Sequence, residues 1–190
     1  MRGLSDFFNL CSSHASLEFP LPAGKGVKEI DLPVKISALL FVVLTLFISP
    51  VSGAERQFVR PSSKDKCAVC GMFVAKYADW TAEMAYHDGT YVYFDGPKDL
   101  FKYLAGMKTY APGRRQDDIA ALYVTDYYAV SPFDGFKAFY VMGSDVNGPM
   151  GPEFIAFQDV ADAREFMKDH RGKRILRFRD ITPEVVKTLE

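Results

Sequence analysis

Cysteine is scarce in this sequence: 190 residues carry three, alongside three histidines and a single tryptophan. Only Cys67 and Cys70 stand close together, and no second pair exists. A closed four-cysteine zinc site within one chain is thereby excluded. A surplus of charge is missing as well. Lys and Arg total 23 against 24 Asp and Glu, which leaves no basic field for nucleic acid and no acidic tail. No Ser-His-Asp set, no acid–base pair of carboxylates and no phosphate-cradling glycine loop stands out. A role other than that of an enzyme is therefore expected. A membrane-length apolar run is absent too: the one strongly apolar stretch, Ile36 to Ile48, falls short of the about 20 residues a span requires.

That stretch has the length of a secretory signal core. Lys35 supplies its positive flank, Pro50 ends any helix, and Ser52-Gly53-Ala54 offers small residues for cleavage. Residues 34–54 are read as a signal peptide, so the remainder is expected outside the cytoplasm, in the periplasm. An uncleaved signal acting as a membrane tether is the alternative, and the only membrane association expected. No cysteine stands at the cleavage point to carry a lipid. Residues 1–33, with Cys11, mix Ser, Pro, Gly and charges without a period. They read as a start-site artefact or a disordered leader.

Residues 55–66, with Pro61-Ser62-Ser63 in the middle, read as a polar linker. The folded region is expected over 67–190. Alternating apolar residues predict a strand over Trp80–Tyr86, a tight turn at His87-Asp88-Gly89-Thr90 and a strand over Tyr91–Phe94. Asp95-Gly96-Pro97 stops that strand and opens a helix, Lys98 to about Ala105, with Leu100, Phe101 and Leu104 as its apolar stripe. The pattern recurs. Lys137–Met142 and Glu153–Phe157 read as strands, and a helix from Gln158-Asp159 carries Val160, Ala163, Phe166 and Met167 on one face. Setting Phe94 on Phe157 aligns the two strand-to-helix junctions without a gap, which suggests a duplicated ββα-type unit. Leu122–Thr125 is expected to pair into the second half, Arg174–Phe178 to form a last strand and Pro183–Leu189 a short helix. The fold class is thus α+β: two small related units, about 67–112 and 118–185, packed together because neither alone buries much core.

The chemistry concentrates at Cys67-Ala-Val-Cys70-Gly-Met72. Two thiols at this spacing reach one ion, Met72 adds a thioether, and Gly71 lets the backbone fold closely. Soft sulfur favours Cu(I) over hard cations. Met150, in the turn-rich run Asn147-Gly-Pro-Met-Gly151, is displayed on a loop and is a candidate further ligand. Met142 and the many Phe and Tyr residues are assigned to the core. His87 reads as a turn residue with a ligand role as the alternative, and His170 suits a helix C-terminus. Two rivals stay open for the cysteines: an inert disulfide, and a thiol–disulfide redox couple. The latter usually sits at a helix N-terminus after a strand. Here the pair precedes Phe73-Val74-Ala75, which reads as a strand.

The run Cys67-Ala-Val-Cys70-Gly-Met72-Phe-Val74 resembles the signature of the NosL family, accessory proteins of nitrous oxide reductase maturation. So do Tyr123-Val-Thr-Asp126-Tyr127, Lys137-Ala-Phe-Tyr-Val-Met-Gly-Ser144, Gly148-Pro-Met-Gly151 and Ile155-Ala-Phe157. The resemblance implies an exported Cu(I)-binding protein of two small α+β units. It also implies delivery of copper to a client enzyme, nitrous oxide reductase, together with a membrane transporter complex. The first half is also similar to the short metal-handling modules called YHS or TRASH, which place a cysteine where this chain has Asp95. Asp95 is thus a candidate ligand or a partner that orients one, with a helix N-cap as the alternative. The candidate metal residues are Cys67, Cys70, Met72, Met150, Asp95 and His87. Family members are commonly lipoproteins, from which this chain departs.

Overall fold

Strand β1, Ala82–Tyr86, turns at Gly89 into β2, Tyr91–Phe94, and the two pair antiparallel with Ala82 opposite Phe94. Gly89 takes a φ of +88°, the left-handed conformation that makes this tight turn a glycine position. These features come from a computed structural model of the chain, which describes residues 56–190. The expected leader and signal peptide lie outside the described residues.

After β2, Pro97 occupies the first turn of helix α1, Pro97–Ala105, where its missing N–H costs no helical bond. A short turn of helix, α2, Met107–Tyr110, follows. The chain then returns through β3, Ile119–Thr125, and β4, Pro132–Asp134. These four strands form one antiparallel sheet in the order β2-β1-β3-β4. The expectation that Leu122–Thr125 pairs into the second half is therefore corrected: β3 lies beside β1, Met84 opposite Leu122 and Ala82 opposite Val124. The physical reason is that β1 needs a neighbour on both edges. All five of its residues are buried, and a fully buried strand cannot leave backbone N–H and C=O groups unpaired.

The second sheet is built from β5, Phe139–Met142, β8, Ile155–Phe157, and β9, Arg174–Arg177, in the order β8-β5-β9. Between β5 and β8 stands a small hairpin, β6, Asn147–Gly148, and β7, Gly151–Pro152, with Pro149 and Met150 at its tip. Helix α3, Val160–Asp169, is capped by the Asp159 carboxylate, which accepts the Ala161 N–H at 2.7 Å. It buries Ala163 and Phe166 against Val141, Ile155 and Phe157. A last helix, α4, Pro183–Lys187, packs on α1. Both α1 and α3 begin three residues after the phenylalanine that closes the preceding strand, Phe94 and Phe157, so the two halves repeat a strand–strand–helix plan. The fold is α+β.

Helix α1 joins the two sheets. Its Phe101 ring meets Tyr140 of β5 at 5.1 Å, Phe154 at 5.4 Å and Phe178 at 5.5 Å. Leu100 is fully buried beside it. Side chains of this size each stabilise the fold by about 1.5–3 kcal/mol on burial. A second tie runs through buried Asp126, whose carboxylate accepts the N–H groups of Tyr128, Ala129 and Gln158. It links the end of β3 to the start of the α3 segment. Residues 56–59 lie against the first sheet: the Val59 N–H donates to buried Glu83 at 2.7 Å, and Phe58 meets Tyr123 edge-on. Among the described residues no helix is long and apolar enough to cross a membrane.

Candidate metal centre

The cysteine run folds as a tight loop. Lys66 and Phe73 form an antiparallel bridge, the Cys67 N–H donates to the Met72 carbonyl at 2.8 Å, and the Gly71 N–H donates to the Cys67 carbonyl at 3.0 Å. Gly71 sits at a φ of +77°, which only glycine adopts without strain. The expected strand over Phe73-Val74-Ala75 is corrected. Only Phe73 makes a bridge, and Val74–Tyr77 is a turn of 3-10 helix. Val74 is drawn wholly into the core and its N–H donates to the Asp65 carbonyl, so the chain curls back instead of extending.

The loop is pinned to the outer edge of β2. Cys67 bridges Tyr93 in parallel register, and the Ala68 N–H donates to the Tyr93 carbonyl at 3.1 Å. This places the two sulfurs beside the residues that follow β2. Asp95 lies one residue past the strand, and Asp99 lies in the first turn of α1. The Cys67 thiol donates to Asp99 Oδ2 at 3.1 Å and the Cys70 thiol to Asp95 Oδ1 at 3.3 Å. One sulfur and one carboxylate oxygen from each pair, four donor atoms in all, lie within 4.8 Å of one another. Cys67, Asp95 and Asp99 are buried, with exposures of 3%, 1% and 6%, while Cys70 is half-buried and gives the cluster its open side.

The electrostatics follow from that burial. Removal from water pushes the Cys67 thiol far above its ordinary range, and pushes Cys70 up to about 11, with the Asp95 charge adding to the rise. The Asp99 carboxyl is also raised, by burial first and by the neighbouring Asp95 charge, against the thiol hydrogen bonds that favour its ionised form. Both cysteines are free thiols. The second oxygen of Asp95, Oδ2, is buried without a hydrogen-bond partner. An unmatched acceptor of this kind is costly, and its cost is relieved by a cation or proton entering the cluster.

Of the six residues proposed from sequence, the structure brings Cys67, Cys70 and Asp95 together. The N-cap alternative for Asp95 is overturned: Gly96 holds the cap position with no side-chain capping bond, and the Asp95 carboxylate faces Cys70. Met72 sits in the same loop, half-buried, its carbonyl closing the turn. Met150 is 47% exposed at the tip of the β6–β7 hairpin, and its carbonyl accepts the Lys98 ammonium at 2.8 Å. The hairpin is thus tied to the residue next to Asp99. His87 is not brought to the cluster. It is exposed in the turn after Tyr86, whereas the cluster adjoins the Ala82 end of β1, five residues back and roughly 17 Å away at about 3.3 Å per residue.

Asp99 escapes sequence reasoning. The trace that points to it is the spacing Asp95-x-x-x-Asp99. Across a strand-to-helix corner, that spacing turns both carboxylates toward the same flank of β2. Glu153 escapes it too. This buried carboxylate accepts the Lys98 N–H at 2.5 Å and the Phe154 N–H at 2.9 Å, and burial pushes it up to about 8.

A sequence model of the NosL family matches residues 58–186. The crystal structure of the copper chaperone NosL from Shewanella denitrificans superposes with a TM-score of 0.57 at 24% identity, over 67% of this chain and 97% of that one. The solution structure of the apo-NosL protein from Achromobacter cycloclastes gives a TM-score of 0.40 at 27% identity, over 55% and 87%. The first of these establishes the likeness of fold. No curated protein matches the sequence.

Proposed function

Because the chain belongs to the NosL family, we propose that it is an exported carrier of copper(I) that supplies copper-centre assembly, and not an enzyme. The observation that carries this reading is the convergence of Cys67, Cys70, Asp95 and Asp99 within 4.8 Å. The relative from Shewanella is named a copper chaperone, and a pair of thiols suits the cuprous ion, which prefers soft sulfur.

The ion is cargo, so the site must both grip and release. Two thiols give the grip once they lose their protons, and Met72 and Met150 are the thioethers proposed to complete the coordination. The nearest acceptors for the displaced protons are the two carboxylates that already receive the S–H groups, Asp99 and Asp95. Protons passed to them keep the buried cluster near neutrality as the cation enters, and their return to sulfur favours release. The half-buried Cys70 is the sulfur a receiving protein reaches first. The proposed setting is the periplasm. Nitrous oxide reductase is the client proposed from the family resemblance, with a membrane transporter complex as co-worker.

The thiol–disulfide alternative fares worse. Redox-active cysteines need a depressed thiol pKa, and here burial drives both thiols the other way. Anaerobic titration with Cu(I) against a competing chelator tests the carrier reading. Tight one-to-one binding that disappears in the Cys67→Ala, Cys70→Ala double variant is expected. Unchanged affinity in that variant would refute it.

A further inference from the structure

Between the cluster and Met150 stands a pair of buried struts that the ligand chemistry leaves unexplained. Glu153 lies directly after β7 and is almost wholly enclosed. Its Oε1 accepts the Lys98 N–H, the first-turn amide next to Asp99, at 2.5 Å, and the Phe154 N–H at 2.9 Å. The Lys98 ammonium likewise donates to the Met150 carbonyl at 2.8 Å. Both bonds run from Lys98 on helix α1, one from its amide and one from its ammonium, to acceptors on the β6–β7 hairpin and the residue that follows it. Room for them is made by two glycines: a Cβ at Gly96 would collide with Glu153 Oε2, and one at Gly148 would come within 2.9 Å of Glu153 Cγ. Gly96 is extended, with a φ of −173°, so backbone conformation does not demand glycine there; the carboxylate beside it does.

We infer that Glu153 and Lys98 are positioning residues that hold the Met150 hairpin against the thiol cluster, so that the thioether of Met150 is delivered to the ion the cysteines bind. The inference rests on the carrier reading above and on Met150 as a ligand. A buried carboxylate spent on a backbone amide of another element is costly to install and is expected where two elements must keep a fixed spacing. Met150 itself sits at an exposed two-residue tip. Held through its own carbonyl, it keeps its backbone in place while the side chain stays free to grip and let go.

A double-mutant cycle with Cu(I) as the probe tests this, each affinity measured anaerobically against a chelator. Glu153→Ala should weaken binding by about 10–100-fold, the usual effect of losing a supporting partner. Met150→Ala should weaken it to a similar extent, and the double variant should be no weaker than either. Glu153→Gln, which keeps the acceptor oxygen, should bind nearly as the unaltered chain does. Gly96→Ala, which displaces the carboxylate without touching a donor atom, should resemble Glu153→Ala. Additive losses would overturn the inference, because a merely structural effect of Glu153 weakens binding whether or not Met150 is present. An unchanged affinity in Met150→Ala, with binding still abolished by the cysteine double variant, would overturn the clamp and leave the carrier reading standing. Loss of no affinity in the cysteine double variant would instead remove the carrier reading itself.

Discussion

Alkylation of the two cysteines should be slow in the folded, metal-free protein, and the structure sets by how much. A thiol titrating at about 11 in place of 9.0 carries about 100-fold less thiolate at pH 8, and the thiolate is the reactive form. Part of that loss is returned, because nucleophilicity rises with pKa. With a Brønsted coefficient of about 0.4–0.5 the gain is roughly eightfold. Cys70 should therefore react about tenfold more slowly than an unstructured cysteine. Cys67, raised further and almost enclosed, should react more slowly still. The assay is iodoacetamide at pH 8 on chelator-treated, reduced protein, without oxygen, with modification at each cysteine followed by mass spectrometry. The same protein in urea supplies the reference rate. Copper(I) added first should protect both sites. Alkylation of folded Cys70 as fast as in urea would refute the claim that burial and Asp95 hold the thiol protonated, and would restore the redox couple as the better reading.

Two further outcomes follow from the buried groups. Glu83, fully enclosed with Oε1 unpartnered, is pushed up to about 7 by burial, and Glu153 up to about 8. A carboxyl whose folded pKa is raised contributes stability that is complete below its unfolded value near 4.5 and is lost as pH rises through the folded value. Urea midpoints should thus fall from about pH 4.5 to about pH 8, with at most about 3 kcal/mol of the loss due to Glu83, complete by about pH 7 at about 1.4 kcal/mol per pH unit. Glu83→Gln should flatten that slope, and a midpoint that climbs across this range would contradict the assignment. Phe101→Ala should cost about 3–5 kcal/mol in the same measurement, since it empties the contact among Tyr140, Phe154 and Phe178 that joins the sheets. A loss below about 1 kcal/mol would show that α1 does not carry the joint.

Local chemistry was readable from the order of residues alone wherever neighbours in the chain decide it. The Asp88-Gly89 turn, Pro97 at the start of α1, the helix start at Gln158-Asp159 and the repeated strand–helix junction all depend on residues a few positions apart, so periodicity and turn propensity find them. The Cys67–Cys70 pair is local for the same reason. What needed the third dimension is the company those cysteines keep. Asp99 joins them only because the loop docks on the edge of β2 and the chain turns a corner at Gly96-Pro97. Strand β3 goes to β1 because a fully buried strand needs two partners, a demand that no stretch of sequence displays. Glu153 reads in sequence only as the first residue of a strand. Only packing shows that its carboxyl accepts the amide of Lys98, 55 positions away, because hydrogen-bond satisfaction in a closed core is a property of the whole fold and not of any segment.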